Sequence, residues 1–304
     1  MKAKLNVLIA MVTFGTVSIF VKNIPLSTGE ISLYRASIGF LVILLYQLFS
    51  GNRIKISEIK QDLPLLFISG ICIGFGWVLL FQAFKYTTVS LATLSHYFAP
   101  VLLIILSVII FKEKLSIKQL FCFVMATLGL IIIITSEGLE ITNTTTIGVL
   151  YGLASAVLYA TVLVINKRIK NVTGIDRTLI QFFAGTLVLT PYVLATSGIN
   201  ILSLEPKALI SVLILGGFHT GFMYFLFFSS IKDLSGQEVA ILSYAEPLVS
   251  IIVSLLVFRE PLTLMQIIGG AMILGFTLLN ELNISIFNDS EVISKSKIEN
   301  FEEN

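Results

Sequence analysis

Apolar residues run through this chain in long unbroken stretches, and the polar ones collect in short clusters between them. Crossing ~30 Å of hydrocarbon takes roughly 20 apolar residues in a helix. Stretches near that length predict ten spans: Leu5–Val21, Ile31–Phe49, Leu63–Phe84, Val89–Phe111, Leu120–Thr135, Ile147–Ile165, Leu179–Thr196, Leu209–Ser229, Val239–Phe258 and Met265–Leu282. Helices are the expected form, because a helix satisfies its own backbone polar groups where no water can. Turn formers fall between the spans, at Ser27-Thr28-Gly29, Gly51-Asn52, Asn143 through Thr146, Gly174-Ile175-Asp176, Ser197-Gly198 and Ser235-Gly236. Residues 283–304 are polar, mixed in charge and aperiodic, which predicts a disordered cytoplasmic tail.

Composition agrees with a chain solvated mainly by lipid. Hydrophobic residues make up 56% and charged residues 12%, against about 25% charged in a soluble domain. A net charge of +2 with scattered basic residues excludes a nucleic-acid partner. Cys72 and Cys122 sit in apolar runs without metal-ligand spacing, and no metal or cofactor is implied. The chain has no HExxH, no GxSxG and no Walker loop, and its two histidines lie far apart, so no catalytic set is assigned and an enzyme is not expected. A membrane-embedded enzyme or a small-molecule channel remains the alternative function, although neither a reactive cluster nor a filter-like loop is visible.

Lys2, Lys4, Arg53, Lys55, Lys60, Lys112, Lys114, Lys118, Lys167, Arg168, Lys170, Arg177, Lys232, Lys295 and Lys297 fall on one side of the predicted spans. Only Lys22, Lys85, Lys207 and Arg259 fall on the other. Because basic residues stay on the cytoplasmic side, both termini are expected there, in a multi-pass inner or plasma membrane protein.

The chain repeats itself at one fixed offset of 147 residues, which pairs Gly70 with Gly217, Phe81 with Phe228, Tyr97 with Tyr244, Pro100 with Pro247, Phe111 with Phe258, Glu113 with Glu260 and Gln119 with Gln266. At a slightly different shift, residues 14–22 lie over 159–167, so the first apolar stretch belongs to the first repeat and reads as a helix, not a signal peptide. The units are residues 1–140 and 141–282. Five helices is an odd number, so two copies enter the bilayer from opposite sides, as inverted repeats.

The paired segments Phe98-Ala99-Pro100…Phe111-Lys112-Glu113-Lys114-Leu115 and Ala245-Glu246-Pro247…Phe258-Arg259-Glu260-Pro261-Leu262, with Phe14-Gly15 and Arg35, resemble the drug/metabolite transporter superfamily, specifically its EamA-type ten-helix transporters. The resemblance covers roughly residues 5 to 282. It implies an all-α integral membrane fold, a basket of ten helices around a central cavity, and export of amino acids, amines or related metabolites by alternating access. Partners implied are a small-molecule substrate, the lipid bilayer and, in proton exchange, protons; a monomer and a homodimer both fit.

Glu246 is the sharpest residue. It lies eight positions past Glu238, about 12 Å into its helix, where a carboxylate is costly unless paired, protonated or facing a wet cavity. It is expected to bind a substrate amine or couple protons, against a structural role beside Pro247. His219 and His96 are the two histidines and could serve the same cavity, or bond neighbouring helices. Trp77, Tyr97, Tyr159, Tyr224 and Tyr244 lie inside spans, where they either line a substrate pocket or pack between helices. Arg35 binds a substrate carboxylate, snorkels to the headgroups or pairs with Glu30. Gln82, Gln181, Ser95, Ser243 and Asn166 read mainly as interhelical glue. Pro100 and Pro247 each remove a backbone bond in mid-span and are expected to act as hinges. Glu113 and Glu260 are expected to fix helix ends and gate closure.

Overall fold

The computed structural model describes residues 1–50, 56–112, 115–136, 144–172 and 174–282, and among them all regular secondary structure is helical. Ten helices are long and apolar enough to cross a membrane: α1 (Lys2–Val21), α2 (Thr28–Ser50), α3 (Ile59–Tyr86), α4 (Val89–Phe111), α5 (Ile117–Thr135), α6 (Thr144–Arg168), α7 (Gly174–Thr196), α8 (Pro206–Ile231), α9 (Glu238–Leu256) and α10 (Leu264–Glu281). The chain is therefore an all-α, multi-pass membrane protein. Gly51, Asn52, Arg53, Lys55, Glu113, Lys114, Asn143 and the expected tail at 283–304 lie outside the described residues.

All ten expected spans are present, but several begin earlier than their apolar runs. Gly174 and Asp176, expected in a turn, form the first turn of α7, and Thr144 to Thr146 open α6. Asp176 suits that place, because an acid near a helix N-terminus meets the positive end of the macrodipole. Other helix starts are fixed by side-chain caps. Ser27 and Glu30 cap each other at α2, with Ser27 Oγ accepting from the Glu30 amide at 3.1 Å and the Glu30 carboxylate accepting from the Ser27 amide at 3.3 Å. Ser116 and Gln119 exchange the same bonds at α5, as do Thr263 and Gln266 at α10.

The ends of the bundle sort onto two faces. Lys4 pairs with Glu238 at 2.6 Å, and Lys118 reaches the carbonyls of Asn280 and Leu282, so the starts of α1, α5 and α9 and the end of α10 gather on one face. The ends of α1 and α9 and the start of α4 meet on the other. Along one side α5 and α10 cross with their backbones in contact. A Cβ on Gly129 would stand 2.7 Å from the Gly269 carbonyl, and one on Gly269 would stand 2.5 Å from the Gly129 carbonyl, so only glycine fits at either position.

Four helices depart from regular α geometry. α1 breaks at Thr16 (φ −92°, ψ 0°), α4 between His96 and Ala99, and α9 at Tyr244. In α8 the nine residues Ile214–Phe222 wind as a π-helix. The break in α1 and the π segment were not foreseen from sequence.

Candidate functional site

The broken helices surround a central cavity of about 360 Å³. Its lining runs from mid-depth, at Ser18, Trp77, Thr93 and Ser250, to Asn166, Thr178, Ala240 and Glu281 near the face that carries the N-terminus. Toward the opposite face the space is filled by Val21, Ile24, Leu26, Phe81, Val89 and Leu215, all buried together.

Proline shapes the cavity wall. Pro100 has no amide to offer the His96 carbonyl, and Pro247 none to offer Ser243. Both helices tighten just before the proline: the Phe98 amide donates to the Ser95 carbonyl at 3.3 Å, and the Tyr244 amide to the Ile241 carbonyl at 3.3 Å. Each proline then sits in the first turn of the helical half that follows, where a missing amide costs nothing. The outcome is that Tyr97 and Tyr244 both line the cavity, with ring centroids 6.4 Å apart.

The lining resolves into two walls, one carrying the buried Arg35 and the other the half-buried Glu246. On the first, Arg35 lies over the Trp77 ring, its guanidinium carbon 4.1 Å from the ring centroid, and its Nε donates to Thr220 Oγ1 at 2.9 Å. Trp77 packs on Phe182, Phe182 on Tyr224, and Tyr224 on Phe14. On the second wall Tyr97 and Glu246 border the cavity together, while His96 packs against Tyr159 at 5.3 Å. Arg35 and Glu246 form no ion pair with each other. A cation and a carboxylate thus face one partly apolar space, each with hydrogen-bonding capacity to spare.

The structure brings Glu246, Arg35, Trp77, Tyr97, Tyr159, Tyr224, Tyr244 and His96 to this cavity, with Pro100 at its edge. Two expectations need correction. Arg35 does not snorkel: it is only 6% exposed, and the cation–π contact and the Thr220 bond hold it inward. Glu30, its expected partner, is occupied by Ser27 and by the Asn200 amide at 2.8 Å. His219 is not a lining residue. It is 2% exposed and meets Thr16 Oγ1 at 3.0 Å through Nε2. Its Nδ1 lies 3.4 Å from the Ile214 carbonyl, so both ring nitrogens are partnered. The bond to Thr16 ties α8 to the break in α1.

Glu281, at the cavity rim, was missed by sequence reading. An acid in the last turn of a helix opposes the macrodipole, and that local mismatch is the signal that marks it. Asn166 and Gln181 also line the cavity, although Gln181 Nε2 is committed to Ser69 Oγ at 2.8 Å and to Asn166 Oδ1 at 2.9 Å, as glue residues are.

At the opposite face Glu260 collects three partners: Lys22 Nζ at 2.5 Å, the Val89 amide at 2.8 Å and Ser254 Oγ at 2.5 Å. Lys22 also lies over the Phe258 ring at 4.5 Å. One carboxylate thereby joins the ends of α1 and α9 to the start of α4, capping an otherwise unpaired helix amide with negative charge. Glu113, its repeat partner, lies outside the described residues. Lys112 and Arg259, the residues just before this pair of glutamates, are the two non-glycine residues with positive φ among those described, at 54° and 55°.

Among known proteins, the sequence model of the EamA-like transporter family matches residues 1–135 and again 146–281. An uncharacterized transporter, YxxF, of Bacillus subtilis is 27% identical over 272 residues, covering 89% of this chain and 86% of its own. An uncharacterized transporter of Archaeoglobus fulgidus is 30% identical over 277 residues, covering 90% and 94%. One solved crystal structure superposes with a TM-score of 0.63 at 18% identity, over 91% of this chain and 96% of that one, which shows a shared fold.

Proposed function

The chain belongs to the EamA-like transporter family, and we propose that it exports a small zwitterionic metabolite, an amino acid or close relative, across the cytoplasmic membrane by alternating access. The observation that carries this reading is a buried Arg35 and a half-buried Glu246 lining the same cavity with no ion pair between them. Leaving a cation and a carboxylate in a low-dielectric space is costly unless a ligand completes both. A zwitterion does so: its ammonium meets Glu246, its carboxylate meets Arg35, and its side chain lies against the rings between them. The mainly aromatic lining suits an apolar or aromatic side chain better than a charged one.

The placement of the seal supports alternating access. In this conformer the cavity reaches toward the face bearing the N-terminus, taken as cytoplasmic from the basic-residue asymmetry, while the cluster around Glu260 closes the other face. Opening the outer face requires Glu260 to leave Lys22 and the Val89 amide, with the breaks in α4 and α9 as the hinges. Inverted repeats at residues 1–140 and 141–282 provide the second conformation by exchanging roles. Repeat positions with matching local geometry, at Tyr97 and Tyr244 and at Lys112 and Arg259, support that relation. A membrane enzyme or an open channel fits less well, because one end of the cavity is plugged by packed side chains.

Counterflow in proteoliposomes tests the reading. Liposomes preloaded with unlabelled phenylalanine or leucine are expected to accelerate uptake of the labelled compound, and Arg35→Gln is expected to lower that exchange by roughly 10- to 100-fold, the loss of one charge-assisted contact. Uptake that ignores the preloaded compound, or full exchange by Arg35→Gln, overturns it.

A further inference from the structure

The hydrogen bonds around His96 fix which of its ring nitrogens faces the cavity. His96 Nδ1 lies 3.0 Å from Ser155 Oγ, and Ser155 Oγ donates to the Gly76 carbonyl at 2.8 Å. A serine hydroxyl has one proton, and here it is given to a carbonyl that can only accept. Toward His96 the oxygen therefore accepts, and Nδ1 carries the hydrogen. In the neutral ring Nε2 is then a bare acceptor. It has no partner among the described residues, and His96 borders the same cavity as Glu246. His219, held through Nε2 to Thr16, has no such free position.

The second wall accordingly presents acceptors. Glu246 offers a carboxylate and His96 offers Nε2, both on the cavity lining. From this geometry we infer that the cavity selects a primary ammonium, which gives one N–H to Glu246 and a second to His96 Nε2, and discriminates against N-methylated amines. The inference rests on the zwitterion reading above and sharpens it: charge alone admits a trimethylammonium group as readily as an ammonium, whereas a second acceptor does not. Ser155 is a positioning residue that sets the tautomer from behind the ring; it is fully buried and touches no ligand.

The test measures binding of phenylalanine and leucine, and of their N,N,N-trimethyl forms, to purified protein by calorimetric titration. Wild-type protein is expected to prefer each primary amine. His96→Asn keeps a donor toward Ser155 and loses the cavity acceptor, so it is expected to weaken primary-amine binding by roughly 10-fold or more while leaving the trimethyl forms unchanged. Ser155→Ala, a small change in a packed position, is expected to narrow the preference in the same direction, and it carries the test should His96→Asn fail to fold. Retention of the full wild-type preference by folded His96→Asn, or by Ser155→Ala if His96→Asn fails to fold, overturns the inference and leaves the zwitterion reading standing. If wild-type protein binds no compound of either kind, the zwitterion reading fails, and this inference with it.

Discussion

The broken helices α4 and α9 are the same device carrying different chemistry. Both tighten one turn before a proline, both turn a tyrosine into the cavity, and both restart with proline in the first turn. They differ at the residue before the proline. Glu246 puts a carboxylate into the cavity, whereas Ala99, which also borders it, offers only a methyl group packed against Ala156 and Ala160. The two repeats thus carry matched breaks, and a single position decides which of them holds a carboxylate.

That comparison can be broken by moving the charge. The double variant Glu246→Ala, Ala99→Glu places a carboxylate among packed alanines, where overpacking and an unpaired buried charge together cost on the order of 3–5 kcal/mol. A clear fall in melting temperature in detergent and no counterflow are expected; transport restored by the swap means that the two joints are equivalent after all. A milder change, Glu246→Gln, keeps the shape and the place beside Tyr97. It is expected to leave the melting temperature near wild type and to reduce phenylalanine binding by roughly 10- to 100-fold, from the loss of one charge-assisted hydrogen bond; unaltered binding by titration would make Glu246 structural. The smallest effect is expected from Pro100→Ala and Pro247→Ala. Each regains a backbone amide, worth about 1 kcal/mol if the helix straightens to use it. Slower counterflow with near-normal binding is the expected signature of a stiffened joint, read from the exchange rate at saturating substrate.

Much of this architecture was legible in the pattern of apolar runs, because bilayer thickness sets helix length with few exceptions. Helix starts were less legible. Thr144 and Asp176 are polar and look like loop residues, yet polar first turns are what a helix needs where it leaves the hydrocarbon. The depth of Glu246 was readable by counting residues from Glu238, and its place beside Tyr97 followed only from three-dimensional packing. For Arg35 the count gave the depth and not the direction, since the rotation of α2 about its axis depends on Trp77 and Thr220, residues far away in sequence. The two histidines were indistinguishable as isolated polar residues in apolar runs. Their separation into one cavity residue and one interhelical tie rests on Ser155 and Thr16, which carry no signal of their own.

The wide turn in α8 leaves it in register with α3, since Trp77 and Tyr224, 147 residues apart, both line the cavity. A π-helix accommodates an extra residue without interrupting the helix, and here Thr220 reaches back to the Leu215 carbonyl at 2.8 Å while gripping Arg35. α3, which occupies the same place in the first half, is α-helical throughout. Taking one residue out of residues 214–222 turns everything that follows by about 100°, which carries Tyr224 and Phe228 off the cavity wall. The azimuth of the aromatic wall thus depends on how the segment just before it winds.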